Sequence, residues 1–84
     1  MKKIVEHIYE ELMDAQTYSK AYHMSKDDKA KETYRELAGE ELNHAERLID
    51  TGDKLIKTPE EDYLWEFERE RALAWWKRIK HDME

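Results

Sequence analysis

Cysteine is absent from this chain of 84 residues. Its absence excludes disulfides, iron-sulfur clusters, thiolate zinc sites and thiol nucleophiles, and it fits a reducing compartment. Any metal ion held by side chains would need carboxylate and imidazole ligands. A chain this short buries little apolar surface, so we expect a partner chain or a metal to help stabilise the fold.

Glycine and proline are scarce, with two and one residues respectively. The remaining composition is rich in Glu, Lys, Ala, Leu and Arg, which are the residues that favour long helices. The sequence therefore predicts an all-α protein, with a single domain over residues 1–84.

Long apolar runs and a positive net charge are also missing. No stretch is apolar enough for a signal peptide or a membrane span. The net charge is −6 with 43% charged residues, and acidic and basic residues are interspersed, as on solvated helix faces. A general nucleic-acid binder would need the opposite net charge. We therefore expect a soluble, cytoplasmic protein with neither a nucleic-acid nor a membrane partner.

Capping signals and apolar spacing predict three helices, with bounds of about 2–24, 27–56 and 59–81. The polar segment 25–28 offers several N-cap residues and predicts a tight turn near residue 26. Thr58, Pro59 and Glu61 match the start of the third helix as N-cap, first helical residue and capping-box partner. Gly52 could end the second helix early, although the apolar pattern continues beyond it. The expected architecture is an antiparallel hairpin followed by a third helix.

Apolar residues recur at alternating spacings of three and four along the first two helices, in a line that we call the seam. Its apolar members are Ile4, Ile8, Ala15, Tyr18 and Tyr22 in the first helix and Ala30, Tyr34, Leu37, Leu48 and Leu55 in the second. Three seam positions hold Glu11, Glu41 and His44 instead. An unpaired charge buried between helices costs several kcal/mol, so these side chains need a compensating partner.

The predicted turn brings these three residues to one level. Glu11 lies 15 residues before residue 26, and Glu41 lies 15 residues after it. In an antiparallel hairpin the two carboxylates therefore face each other, about 22 Å from the turn. Tyr18 and Tyr34, each eight residues from the turn, form a second matched level. The Glu-x-x-His spacing points His44 the same way as Glu41.

Oxygen and nitrogen ligands without sulfur suit iron, manganese or zinc, and carboxylate-rich sites that hold two ions are usually iron or manganese sites. Two glutamates and one histidine are too few for two ions. A two-fold dimer of hairpins would supply four glutamates and two histidines, which is the full ligand set of a di-iron four-helix bundle. The sequence thus predicts a homodimer with two iron ions, or manganese or zinc in their place.

Residues 4–50 resemble the ferritin-like di-iron family, in particular the half-size encapsulated ferritins and the rubrerythrin-type domain. The resemblance lies in Glu11 with Tyr18 seven residues later, and in the Glu41-x-x-His44 segment. It implies a ferroxidase, an oxidoreductase that oxidises Fe(II) with oxygen or peroxide for iron storage or detoxification. It also implies a site shared between two subunits, dimers that assemble into rings, and in some members an encapsulin nanocompartment as the surrounding shell.

Several positions depart from that family pattern. Thr17 stands where encapsulated ferritins usually place a tryptophan, and Met13 replaces one of the acidic residues proposed to guide iron inward. Glu10 and Asp14 could still serve that role, or they could simply belong to a solvated face. Residues 80–84 contain no clear shell-docking peptide, which argues against the encapsulin partner that the resemblance implies for some members.

Other interpretations of the same residues remain open. Glu11, Glu41 and His44 could form a polar layer that sets helix register, or could be solvated. Tyr18 and Tyr34 could be core aromatics, or could act beside a metal in a redox or supporting role.

The remaining histidines and the tryptophans have simpler interpretations. His7, His23 and His81 lie off the motif and are predicted to be surface residues. The third helix carries Trp65, Trp75 and Trp76, which are expected to pack within or between subunits. The alternative function is a non-catalytic helical adaptor that binds a partner through this tryptophan-rich helix.

Overall fold

A computed structural model describes residues 2–84, which form three α-helices and no strand. The helices are α1 (Lys2–Met24), α2 (Asp28–Leu55) and α3 (Pro59–Asp82). The all-α prediction with three helices is confirmed, and each helix begins and ends within one residue of its predicted bounds. None of the three is both long and apolar enough to cross a membrane.

Local capping fixes where α2 and α3 begin. The Asp27 side chain accepts a hydrogen bond from the backbone N–H of Ala30 (3.2 Å). At the start of α3, Thr58 Oγ1 accepts from the N–H of Glu61 (3.1 Å), while Glu61 Oε2 accepts from the N–H of Lys57 (3.3 Å). The capping box thus closes one residue earlier than the ideal pattern. At both helix starts, a short polar side chain accepts a hydrogen bond from a free backbone N–H group.

The first two helices run antiparallel, and residues whose numbers add up to 52 lie at one level. Tyr18 and Tyr34 are one such pair, with their rings stacked at 6.5 Å between centroids. Glu11 and Glu41 are another. Small buried residues allow the two helices to approach closely, namely Ala15, Ser19, Ala38 and Ala45.

The third helix returns parallel to α1 along one side of the hairpin. Three polar contacts join the two helices, and in each the residue numbers differ by 59. They are Tyr9–Glu68 (2.8 Å), Gln16–Trp75 (2.6 Å) and His23 with the carbonyl oxygen of Asp82 (2.8 Å). This constant offset shows that α3 follows α1 in one register from Glu68 to Asp82.

The core lies between the hairpin and α3, on what we call the covered face. Its buried hairpin residues are Ile8, Leu12, Ala15, Leu42, Ala45 and Ile49, packed against Trp65, Ala72 and Ile79 of α3. Each indole N–H also has an acceptor: Trp65 donates to Asp53 (2.7 Å), Trp75 to Gln16, and Trp76 to the carbonyl of Leu42 (2.8 Å). The tryptophans therefore pack within the subunit.

Helix α2 continues through Gly52 and ends at Leu55. A Cβ atom at Gly52 would fall closer than 3.0 Å to the indole ring of Trp65, which itself is 2% exposed. The missing side chain therefore allows the buried Trp65 indole to lie directly on the α2 backbone. This packing offsets the helix-propensity cost of about 1 kcal/mol that glycine carries.

Candidate metal centre

The structure brings Glu11, Glu41 and His44 together at one point of the hairpin. One donor atom from each lies within 4.8 Å of the others. His44 Nδ1 is 3.5 Å from Glu11 Oε2 and 3.7 Å from Glu41 Oε1. Helix α1 supplies one carboxylate, and one turn of α2 supplies the other carboxylate and the imidazole.

This group points away from α3. On α1, Glu11 lies about 160° around the helix from Tyr9 and about 140° from Gln16, at 100° per residue. Both of those residues contact α3. We call the side of the hairpin that α3 leaves uncovered the open face, and it carries Glu11, Tyr18, Tyr34, Leu37, Glu41 and His44. All six side chains remain partly or largely exposed in the single chain.

The three donor side chains differ in how far they are buried. The side chains of Glu11 and Glu41 are 17% and 18% exposed, and that of His44 is 53% exposed. The Oε2 atom of Glu11 is fully buried, and with both carboxyl groups ionised it has no hydrogen-bond partner. A buried acceptor without a partner costs about 1–3 kcal/mol, so the site is incomplete unless a proton or a cation occupies it.

A shared proton is one way to complete the site. A hydrogen bond from protonated Glu41 to Glu11, assisted by burial and by the Glu11 charge, raises the pKa of Glu41 to about 7. The same hydrogen bond, with help from His44 and His7, lowers the pKa of Glu11 despite its burial. Two carboxylates so close cannot both ionise freely, and a divalent cation would replace the proton between them.

The spacing of the donors suits a metal ion. An ion with bonds of about 2.1 Å to nitrogen and oxygen separates neighbouring ligands by about 3.0 Å in octahedral and about 3.4 Å in tetrahedral geometry. The nitrogen–oxygen distances of 3.5 and 3.7 Å are within a few tenths of an ångström of the tetrahedral value and exceed the octahedral value by about 0.5–0.7 Å. Small side-chain movements would therefore complete the coordination.

Sequence reasoning missed the contact of His7 with this group. Its Nε2 atom lies 3.3 Å from Glu11 Oε1, one helical turn away on α1. The side chain is 55% exposed, so His7 is a surface residue as predicted. Its spacing of four residues from Glu11 was the signal that could have linked the two.

The other predicted residues are more distant from the carboxylates. Tyr18 and Tyr34 stack on each other, seven residues from Glu11 and Glu41, which is about 10 Å along the helices. Their positions match the predicted second level and leave both the core and the supporting interpretation open. Asp14 is exposed, but its negative charge contributes to the raised pKa of Glu41.

Comparison with known proteins identifies no family for this chain. No protein-family model, no curated protein and no solved structure matches the chain. Any functional interpretation therefore depends on the chemistry of these donors and on the residues that carry the ferritin-like resemblance.

Proposed function

We propose that this chain is an iron-binding ferroxidase that oxidises Fe(II) at a two-iron site formed across a homodimer interface, for iron storage or detoxification. The observation that carries the proposal is the convergence of Glu11, Glu41 and His44 within 4.8 Å, with one buried carboxylate oxygen left without a partner. An oxygen-rich group with one imidazole matches the ligand preference of iron and manganese.

The position of the group supports a two-fold dimer. It lies on the open face, where Leu37, Tyr18 and Tyr34 are only half-buried. A second hairpin placed on this face would cover those residues and bring a second set of two glutamates and one histidine to the first. The four helices of two hairpins then provide the six ligands that a di-iron bundle uses.

The residues would divide the chemistry as follows. Glu11, Glu41 and His44 bind the Fe(II) substrate and hold the two ions close to each other. Each Fe(II) loses one electron, and one dioxygen takes up two electrons and two protons to give hydrogen peroxide. The Glu11–Glu41 pair releases its shared proton when Fe(II) binds, which supplies a proton near the reacting oxygen.

Aerobic oxidation of Fe(II), followed by near-ultraviolet absorbance of the ferric product, tests this function. The wild-type protein should oxidise Fe(II) faster than a Glu11→Ala/His44→Ala variant. A His81→Ala variant, altered at an exposed histidine, should keep the wild-type rate. Equal rates for the wild-type protein and the double variant would refute the ferroxidase.

A helical adaptor is the second candidate, because α3 exposes apolar side chains. Tyr63, Leu64 and Phe67 are 77%, 62% and 58% exposed, and exposed apolar patches commonly mark interaction surfaces. The tryptophans face the hairpin, so a partner would meet these three residues instead. Metal analysis separates the candidates: an adaptor would contain no metal after reconstitution, and added metal would not change its melting temperature.

The ferritin-like resemblance extends the proposal to assembly and location. Dimers would build a larger ring in a cytoplasmic setting, with an encapsulin shell as a further partner. Sedimentation of the iron-loaded protein tests the assembly, because a dimer and a ring differ severalfold in mass. Co-purification with a co-expressed encapsulin tests the shell.

A further inference from the structure

We propose that His7 is an additional metal ligand, which binds a divalent transition-metal cation on the outer side of Glu11. The inference rests on the proposed metal site and adds to it. Its geometric basis is that the two oxygens of Glu11 face two different imidazoles. Oε1 lies 3.3 Å from His7 Nε2, and Oε2 lies 3.5 Å from His44 Nδ1.

The hairpin register places both imidazoles at one height. Level residues have numbers that add up to 52, as for Tyr18 and Tyr34, so His7 lies level with Ala45, next to His44. Both histidines are therefore about one turn farther from the interhelical turn than the two carboxylates are. They approach the carboxylate pair from different helices but on the same side.

Exposure gives the two imidazoles equal access to solvent. The side chain of His7 is 55% exposed and that of His44 is 53% exposed, whereas the carboxylates behind them are mostly buried. A cation arriving from solvent would meet the imidazole nitrogens first. His7 and His44 would then hold it at the rim, and Glu11 would bind it from below.

The His7–Glu11 distance favours a ligand pair over a simple ion pair. Charge-assisted hydrogen bonds between nitrogen and carboxylate oxygen are about 2.7–2.9 Å long, and the observed 3.3 Å exceeds that length. It falls within the separation of about 3.0–3.4 Å expected between neighbouring ligands of one ion. An exposed pair of this spacing on one helix contributes only a few tenths of a kcal/mol, so it does little for the fold.

With His7 included, one chain offers two carboxylates and two imidazoles. Glu11, Glu41 and His44 already lie within 4.8 Å of one another, and His7 lies outside this group, so its imidazole must move inward along Glu11 for all four ligands to hold a single ion such as Co(II), Zn(II) or Fe(II). The first ion can therefore bind to a single chain, before a second chain covers the open face. In this order of events, the first ion binds to one chain before two chains form the dimer.

Titration of the metal-free protein with Co(II), monitored by visible absorption, tests this role. We expect His7→Ala to raise the Co(II) dissociation constant at least about tenfold and to change the absorption bands, because a water replaces an imidazole. The matched control is His23→Ala, since His23 contacts Tyr22 and the end of α3 rather than the carboxylates; it should stay within about twofold of the wild-type protein. Helix content by circular dichroism confirms that both variants are folded.

Nuclear magnetic resonance with Zn(II) distinguishes direct coordination by His7 from a role in which His7 only positions Glu11. The imidazole protons of His7 and His44 should shift on binding, and those of His23 and His81 should not. If His7→Ala and His23→Ala bind Co(II) equally while His44→Ala loses binding, the His7 role is wrong and the proposed centre stands. If the wild-type protein does not bind Co(II), both are wrong.

Discussion

The two faces of the α1–α2 hairpin differ in what satisfies their polar atoms. On the covered face, every indole N–H that α3 brings in finds an acceptor within the chain. On the open face, Glu11 Oε2 is buried without a hydrogen-bond partner, and the pKa of Glu41 is raised to about 7 by its carboxyl neighbour and by burial. One face is complete in a single chain, and the other keeps a carboxyl pair that needs a shared proton or a cation.

The two faces should therefore contribute differently to the stability of the fold. The covered face should contribute most of the folding free energy, because it holds the buried aromatic and aliphatic residues. The open face keeps a pair of carboxyl groups that oppose folding, as binding sites often do. Substitutions on the two faces should therefore have opposite effects on stability.

The largest expected effect is on the covered face, at Trp65. Replacing this buried side chain by alanine should lower the free energy of unfolding by about 3–5 kcal/mol, because it leaves a cavity and removes the hydrogen bond from the indole to Asp53. Urea denaturation followed by circular dichroism measures the change. Tyr63→Ala, at a position 77% exposed, should change stability by no more than about 0.5 kcal/mol. Equal losses in both variants would contradict the covered-face assignment.

The two glycines of α2 provide a second contrast. Gly52→Ala should destabilise by about 1–3 kcal/mol, because its methyl group would overlap the Trp65 ring. A Cβ atom at Gly39 would meet no other atom within 4 Å, so Gly39→Ala should stabilise by about 1 kcal/mol through helix propensity. Thermal melting of the two variants should therefore shift in opposite directions. A gain in both would mean that Trp65 does not lie on Gly52.

On the open face, Glu41→Gln should stabilise the metal-free protein while abolishing its stabilisation by metal. The raised pKa of Glu41 means that folding disfavours the ionised carboxyl, so the penalty grows as the pH rises from the unfolded value through about 7. We expect the free energy of unfolding of Glu41→Gln to exceed that of the wild-type protein by about 1 kcal/mol at pH 8 and by almost nothing at pH 5. Urea midpoints at the two pH values measure it. Equal gains at both would rule out this origin.

The smallest effect concerns the Tyr9–Glu68 hydrogen bond between α1 and α3. Burial and the neighbouring carboxylate raise the pKa of Tyr9 from 10.0 to about 12. Its contribution is therefore present below pH 10 and is lost as the pH rises towards 12. Between pH 9 and 11 the free energy of unfolding of the wild-type protein should fall by at most about 1 kcal/mol more than that of Tyr9→Phe, as measured by urea midpoints. An identical pH dependence in the two proteins would contradict the shift.

Periodicity and capping were sufficient to predict the helices, because each signal acts within a few residues. Thr58 and Asp27 cap helices through local hydrogen bonds, and the turn near residue 26 fixes the level of every pair in the hairpin. The meeting of Glu11 with Glu41 followed from counting residues on either side of that turn. Such local chemistry is readable without a structure.

The placement of α3 could not be read in the same way. Its apolar residues lie around more than one side of the helix, so the sequence did not show which side faces the hairpin. The structure places α3 by long-range contacts, such as Trp65 on Gly52 and Trp75 with Gln16. Only this placement distinguishes a covered face from an open one.

The position of the three tryptophans gives the molecule an optical reporter of α3 docking. All of its indoles lie on α3 and face the hairpin, whereas the stacked rings of Tyr18 and Tyr34 lie on the opposite side. Selective excitation of tryptophan would follow the docking of α3 alone. Phenol absorption would report on both sides, because Tyr9 contacts Glu68 and Trp75 on α3, so indole fluorescence is the signal that follows α3 docking in an unlabelled sample.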